Sequence, residues 1–377
     1  MTNIPDTRVP YLDLKAQYSA IRPEIDKVVS KVIVDSAFIG GPFLKAFEEE
    51  FCQYCGTAMA VGVSNGTDAV RLALLACGVG PGDEVITVPN TFIATSEAIT
   101  MTGAKVKFVD IDPQSRNMDV RLLEAALTPK TKALLPVHLY GRPADMNPIL
   151  EIAKAKGLRV VSDGAQAHGA RYRDRGIGQY GDATTFSFYP GKNLGAYGDA
   201  GAVITDDAEI ARKIRMLRDH GRTKKYEHEI EGFNCRMDGI QAAVLSVKLR
   251  YLDGWTELRQ KHAARYCSLL RDIPEIQLPL EDSDTSSVHH IFAIEVDRRD
   301  EVQAQLQAGG IETGIHYPIP LHLQPAYSHL KLGRRSFPVA EAMAQRALSL
   351  PMFPELTNAQ IDRVAEAVRS SVRATAA

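Results

Sequence analysis

Three places in this 377-residue chain combine residue types that could do chemistry. The first is Lys192, in the stretch SFYPGKNLGAYGDAGAV that runs from Ser187 to Val203. A lysine amine attacks carbonyl groups once it is neutral. Ser187 opens the same stretch, and Gly191, Gly195 and Gly198 let the backbone pass close to a ligand. The second is Asp163, at the end of the apolar run RVVSD, with Gln166 and His168 just beyond. A carboxylate leaving such a run needs a partner or water to stay ionised. The third is Asn65-Gly66-Thr67, between AMAVGVS and the helical pattern TDAVRLALLACG. A helix N-terminus preceded by glycine offers free N–H groups and the positive end of the helix dipole, which suits a phosphate. Taken singly, each has an ordinary reading: a solvated lysine, a turn aspartate, a capped strand–helix turn. Taken together, an amine, a carboxylate and a phosphate seat meet the needs of pyridoxal phosphate. The amine forms a Schiff base, the carboxylate keeps the pyridine nitrogen protonated, and the seat anchors the far end.

These sites serve one ligand only if the fold brings them together. From about residue 58 to 205, short apolar runs alternate with helical patterns. The runs are AMAVGVS, EVITVP, KVKFVDI, KALLPVHL, RVVSD, TTFSFY and GAVIT. That alternation predicts βαβ units and an α/β fold with a mostly parallel sheet between helices. TTFSFY and GAVIT are too close for a crossover helix and read as a hairpin. In open α/β sheets ligands bind beyond the carboxyl ends of the strands. All three sites fall at such ends. Residues 237–272 read as a long helical stretch, with Gly254 as a break. After it come a strand (HHIFAIEV), a helix (RDEVQAQLQAGG), a proline-rich segment (HYPIPLHLQPAY) and two closing helices. The expected division is an N-terminal arm and large domain over 1–250, and a smaller α+β domain over 251–377.

Composition narrows the function. A net charge of −2 gives no basic footprint for nucleic acid. No run of 18 apolar residues predicts a membrane span. The opening MTNIPDTRVPYLDLK lacks a basic segment followed by an apolar one, so no secretory signal is expected and the chain reads as cytoplasmic. The five cysteines read as reduced thiols. Cys52 and Cys55 have no second pair to complete a metal site, and read as small residues closing the helix PFLKAFEEEFCQYCG.

The segment around Lys192 resembles the lysine segment of the DegT/DnrJ/EryC1/StrS family of sugar aminotransferases. The likeness continues through VPYLDLKAQY, DSAFIGGPFLKAFEEEF, GVSNGTDAVRLAL, DEVITVPNTFIAT, SDGAQAHGARY, RDHGRTKKYEHEIEGFNCRMDGIQAA and GIHYPIPLHLQPAY. It implies a fold-type I pyridoxal-phosphate enzyme, working as a homodimer with active sites at the interface. By position, it makes Lys192 the Schiff-base lysine and the proton shuttle, with a depressed pKa. It pairs Asp163 with the pyridine nitrogen and sets Gln166 beside the phenolic oxygen. It assigns Gly66, Thr67 and Ser187 to the phosphate and lays Phe92 against the ring. Asn234 would reach the phosphate from the other subunit. Ser162-Asp163-Gly164 departs from the family's common Glu-Asp-Ala, but the aspartate is kept. A dehydratase branch has histidine at the lysine position and another adds an iron–sulfur cluster. Lys192 and the cysteine spacing disfavour both.

The resemblance further implies a nucleotide-linked keto-sugar as acceptor and an amino acid, L-glutamate, as donor. GRTKKYEHE supplies Arg222, Lys224, Lys225 and Tyr226 for the diphosphate, although such a loop also reads as merely solvated. GIHYPIPLHLQPAY supplies His316, Tyr317 and His322, and looks like the version in members that aminate C3 for cell-surface polysaccharide or glycoside biosynthesis. Two alternatives stay open. One is an aminotransferase for a free cyclitol or sugar. The other is a regulatory protein that binds the cofactor without turnover, which the joint presence of Lys192 and Asp163 weighs against.

Overall fold

The computed structural model describes residues 8–376. Residues 1–7, part of the stretch read above for a secretory signal, lie outside the described residues. The seven apolar runs form one sheet. Its strands are β1 (Met59–Val63), β2 (Glu84–Thr87), β3 (Lys105–Phe108), β4 (Thr131–Leu134), β5 (Arg159–Asp163), β6 (Ala183–Ser187) and β7 (Gly201–Thr205). Their order across the sheet is β1-β7-β6-β5-β4-β2-β3. The pairs from β6 to β3 are parallel, whereas β7 runs antiparallel to both its neighbours. The fold is thus α/β with a mixed, mostly parallel sheet, and TTFSFY and GAVIT do pair antiparallel. The strands are buried along nearly their whole length, as a sheet covered by helices on both faces requires.

The register of β7 sets up the site. Gly201 lies opposite Val63 of β1 on one side and Ser187 of β6 on the other. The turn after β1 therefore crosses over the end of β6. A Cβ on Gly201 would sit 2.3 Å from the Asn65 carbonyl oxygen, so only glycine allows that crossing. The helix Gly41–Cys55 ends at Gly56 in the left-handed conformation, with Cys52 and Cys55 in its last turn, as the sequence indicated.

Two elements differ from expectation. The stretch 237–272 is two helices, Gly239–Leu249 and Leu252–Leu270, and the break falls at Arg250–Tyr251. Both break residues hold Glu24 of the helix Leu14–Val34: Arg250 at 2.5 Å, and Tyr251 through its hydroxyl. Gly254 stays helical in the first turn of the second helix, where a Cβ would meet nothing within 4 Å. A helical glycine costs only about 1 kcal/mol, and the tertiary contact decides the break instead. Between the closing helices Pro338–Arg346 and Asn358–Ala376 lies a strand, Ala347–Leu350, that was not anticipated. It pairs antiparallel with Phe292–Val296, which in turn pairs with Ile276–Gln277. Four residues are too few to show a period.

A second core gathers Tyr266, Phe292, Leu350 and Val364, and Val9 from the N-terminal arm joins it. Leu321, Tyr327, Ala340 and Met343 pack instead into the core of the main sheet. One carboxylate secures that second attachment. Asp110, just past β3, accepts hydrogen bonds from the backbone N–H of Val339 (2.9 Å) and Ala340 (3.0 Å), capping the helix Pro338–Arg346. No helix among the described residues is long and apolar enough to cross a membrane.

Losing such a cap costs about 1–2 kcal/mol. Asp110→Ala should lower the unfolding free energy by about that amount in urea denaturation. An unchanged midpoint would show that the cap carries no weight.

Candidate active site

The helix Gly66–Ala76 starts directly after β1. Asn65 caps it: its Oδ1 accepts the N–H of Asp68 at 2.8 Å. The N–H groups of Gly66 and Thr67 have no acceptor within the helix. Gly66 is pressed against the end of β6. A Cβ there would stand 2.6 Å from Ser187 Cβ and 3.1 Å from its Cα. Gly66, Thr67 and Ser187 thus make a small cup of N–H and hydroxyl groups at a dipole end, suited to a phosphate.

Asp163 ends β5 and is nearly buried. Its Oδ2 accepts from Thr95 Oγ1 at 2.7 Å, and its Oδ1 from the N–H of Ala165 at 3.0 Å. Thr95 belongs to the helix Ile93–Thr100, and its hydroxyl also meets that of Thr91 at 2.9 Å. The aspartate backbone is pinned on both sides, by Pro136 O at 2.9 Å and the N–H of His138 at 3.0 Å. These bonds orient a carboxylate toward the cavity.

Lys192 sits in the connection from β6 to β7. Its own N–H donates to Tyr189 O at 2.8 Å, closing a tight turn. Behind the turn, Lys248 Nζ donates to Gly195 O at 2.6 Å. Burial pulls the Lys192 amine down to about 8, and the negative charge of Asp163 opposes the shift. A large share of the amine is then neutral just above neutral pH. His168, held to about 3 by burial and then by the Lys192 charge, is a neutral ring. Its Nε2 lies 3.0 Å from Ser187 O, which makes that nitrogen the donor.

The opposite wall is built from uncharged groups. Gln166 Oε1 accepts from the N–H of Tyr140 at 2.7 Å, and its Nε2 donates to the Tyr317 hydroxyl at 3.2 Å. The Tyr317 ring lies 5.7 Å from that of Phe92, which is 54% exposed at the mouth. Burial, then the Asp163 charge, raises the Tyr317 hydroxyl. His316 stacks on Tyr11 at 5.8 Å, and its Nδ1 lies 2.9 Å from Ser349 Oγ. Burial, then Lys192, lowers it to about 4.

The cup, Asp163, Lys192 and the wall of Gln166, Tyr317 and His316 border one cavity of about 590 Å³. Of the residues singled out by sequence, Gly66, Thr67, Phe92, Asp163, Gln166, Ser187, Lys192, His316 and Tyr317 line it. Four do not. Asn234 is exposed and bridges by backbone to Asp219. Arg222 is exposed and paired with Asp219 at 2.6 Å, and Tyr226 is 83% exposed. His322 is fully buried elsewhere, its Nε2 3.1 Å from Glu341 Oε1. Glu341 also accepts the N–H groups of Arg335 and Phe337, so His322 helps to close the start of the helix Pro338–Arg346. His322 stands in the short helical turn Leu321–Leu323, whereas His316 and Tyr317 line the cavity. Tyr11, Thr95, Arg259 and His290 line the cavity without having been singled out. Thr95 had a visible signal, three residues after Phe92 in the same segment. Arg259 and His290 had none. The cup that a single Cβ would fill, the held carboxylate and the half-neutral amine fit pyridoxal phosphate.

Two expectations follow from this geometry. Gly66→Ala should close the cup against Ser187, so the purified protein should lose most of its bound cofactor, read by visible absorbance. In cofactor-free protein, modification of Lys192 by an amine-selective reagent should rise with pH through about 8, not through the ordinary value of about 10.4. Peptide mapping of the modified lysine checks this, and a midpoint near the ordinary value would refute the burial effect.

The profile of the DegT/DnrJ/EryC1/StrS aminotransferase family matches residues 19–369. A dTDP-3-amino-3,4,6-trideoxy-alpha-D-glucose transaminase of Streptomyces venezuelae is 49% identical over 362 residues, which is 96% of this chain and 96% of that protein. The crystal structure of S. venezuelae DesV in complex with a ketimine intermediate matches with a TM-score of 0.95 at 49% identity, covering 96% of this chain and 98% of that one. NtdA from Bacillus subtilis, with bound cofactor PMP, matches with a TM-score of 0.92 at 34% identity, covering 99% and 87%. Sequence and fold agree over nearly the whole length, and this chain belongs to the DegT/DnrJ/EryC1/StrS aminotransferase family.

Proposed function

We propose that this protein moves an amino group from L-glutamate to C3 of a nucleotide-linked keto-sugar, using pyridoxal 5'-phosphate. The observation that carries the reading is the meeting of Lys192, Asp163 and the Gly66–Ser187 cup on one cavity. The choice of C3 and of a sugar nucleotide is supported by the likeness to the Streptomyces venezuelae transaminase, which is named for a dTDP-3-amino sugar.

When bound, the cofactor supplies an aldehyde that takes up the amino group and a ring that accepts the electron pair of a broken C–H bond. The chain does the rest. Gly66, Thr67 and Ser187 hold the phosphate with N–H and hydroxyl donors. Asp163, fixed by Thr95 and Ala165, holds a proton on the pyridine nitrogen. Gln166, fixed by the Tyr140 N–H and the Tyr317 hydroxyl, would offer its amide to the phenolic oxygen. Phe92 covers the ring at the mouth. Lys192 Nζ, neutral above about 8, takes the proton from the substrate carbon that carries nitrogen. His316 and Tyr317, both uncharged, present hydrogen-bonding groups to the sugar.

The active form is a homodimer. Ile33, Val34, Phe38 and Ile39 leave apolar surface exposed beside a groove lined by Tyr18, Val29 and Tyr197. A second copy would cover it. Arg222, Tyr226 and Asn234, which do not line their own cavity, would serve that of the partner. Arg222 and Tyr226 would meet the nucleotide diphosphate, and Asn234 the cofactor phosphate.

L-Glutamate should bleach the visible band of the purified protein, and a nucleotide-linked 3-keto-sugar should restore it. Lys192→Ala should lack the band without added amine and lose roughly 10²–10⁴-fold in turnover. A band that persists in that variant sinks the role of Lys192. A bound cofactor that no amino acid alters would favour the regulatory reading. Restoration by free cyclitols but not by dTDP-, UDP- or GDP-sugars would favour the free-sugar reading.

A further inference from the structure

Among the described residues, Lys192 and Arg259 are the two lysine or arginine side chains that line the cavity. The roles above leave Arg259 unused. It lies in the helix Leu252–Leu270 and is 3% exposed. Its Nη1 donates to Met352 O at 2.8 Å and to His289 O at 3.2 Å. Its Nε is buried with no acceptor. Among the described residues no carboxylate lies within 4.0 Å of the guanidinium. Burial lowers it to about 10, with Glu355 opposing, so the full charge remains at neutral pH.

A buried guanidinium whose hydrogen bonds go to carbonyl oxygens, with Glu355 acting only from beyond ion-pair distance, is poorly compensated. Nearby ring nitrogens do not help. Burial, then Lys192 and Arg259, hold His290 well below its ordinary value, and His316 is likewise neutral. The lining also includes the Tyr11 hydroxyl, which burial keeps uncharged, and apolar side chains such as Leu12, Ile291 and Met352. Such a cation facing a cavity calls for an anion from solution. The phosphate cup is built from different elements, the turn after β1 and the end of β6, and has its own donors. A planar guanidinium fork matches a carboxylate.

Its placement selects which carboxylate. Lys192 stands in the connection from β6 to β7 of the main sheet, whereas Arg259 is tied to the carbonyls of His289 and Met352, beside the strands Phe292–Val296 and Ala347–Leu350 of the second core. Arg259 therefore stands back from the reacting nitrogen. An α-carboxylate hangs on the reacting carbon itself, and the side-chain carboxylate of glutamate reaches farther. We propose that Arg259 binds the side-chain carboxylate of the amino donor and so selects a dicarboxylic amino acid. This rests on the transamination reading above.

The test follows bleaching of the visible band by L-glutamate and by L-alanine in the holoenzyme, in wild type, Arg259→Gln and Arg259→Lys. Arg259→Gln should raise the half-bleaching concentration of glutamate at least about tenfold and leave that of alanine within about twofold. Arg259→Lys should fall between. Restoration of the band by the keto-sugar nucleotide should also stay within about twofold. Independently, glutarate should raise the thermal midpoint of the wild-type holoenzyme but not of Arg259→Gln, and butyrate should raise neither. If Arg259→Gln does not fold, the glutarate–butyrate contrast in wild type still decides. Equal midpoint shifts by the two overturn the proposal. So does an unchanged glutamate dependence, or an equal loss for glutamate, alanine and sugar, which would make Arg259 a purely structural tie. Loss confined to the sugar step would assign the site to an anion of the acceptor instead. Should glutamate fail to bleach wild type while another amino acid does, the donor assignment falls and transamination stands.

Discussion

Asp163 and Lys192 attract each other, and the site works only if they do not collapse into an ion pair. The attraction is visible in the lysine, whose fall to about 8 is opposed by the aspartate. Yet the two make no ion pair within 4.0 Å among the described residues. Thr95 and the Ala165 N–H occupy the carboxylate, and the turn closed on Tyr189 O holds the lysine on its own side. The space between two opposite charges in a poorly solvated cleft is where a ligand bearing both an acidic and an electrophilic end is most stabilised. Strand register sustains this separation. Asp163 sits opposite Thr185, and Ser187 extends beyond it toward the lysine turn. A slip of one residue would turn either side chain to the other face of the sheet.

The same register explains why the Gly66–Ser187 cup and Lys192 share a wall. Gly201 ties β1 and β6 to one strand, so the start of the helix after β1 lies over the end of β6. The close contact of Gly66 with Ser187 is then a consequence of sheet order rather than a separate device. Lys248 supports the arrangement from behind. It is almost wholly buried, bonds Gly195 O, and lies over the rings of Tyr197 and Trp255 at 5.1 and 6.0 Å. Cation–π contact offsets part of the desolvation of that ammonium.

The cavity is sparing with charge. His168, His290 and His316 are all held neutral, in each case first by burial and next by the Lys192 charge. Three rings that could each carry a proton at mildly acidic pH instead act as fixed hydrogen-bonding groups. Among the described residues that line the cavity, Lys192 is left as the group that changes charge near working pH. The linkage runs one way: the folded chain holds that proton less tightly than the unfolded one. This lysine therefore contributes stability to the cofactor-free protein as pH rises from about 8 toward the ordinary lysine value. Over the same range the amine becomes neutral, the form in which a lysine attacks a carbonyl.

Much of the site could be read from the chain because its parts sit where a periodic pattern stops. Seven apolar runs announced seven strands, and Asp163, Ser187, Lys192 and Gly66 stand at or just past their ends. Strand and helix periods are local properties, and the placement of ligands beyond strand ends follows from the parallel fold itself. Other features depend on which distant surface a segment meets. His316 and His322 look alike in one proline-stiffened stretch, yet one faces the cavity and the other is packed onto Glu341. The helix break at Arg250–Tyr251 is made by Glu24, more than two hundred residues earlier. The strand Ala347–Leu350 exists because Phe292–Val296 offers it an edge. Arg259 sits in the middle of an unremarkable helix, and only the tertiary structure buries it beside the cavity with no carboxylate among the described residues within ion-pair distance. The sequence by itself determined the sheet, the strand-end residues and the family, because these rest on local pattern. The tertiary structure decided which polar side chains face the ligand, because that depends on contacts between residues far apart in the chain.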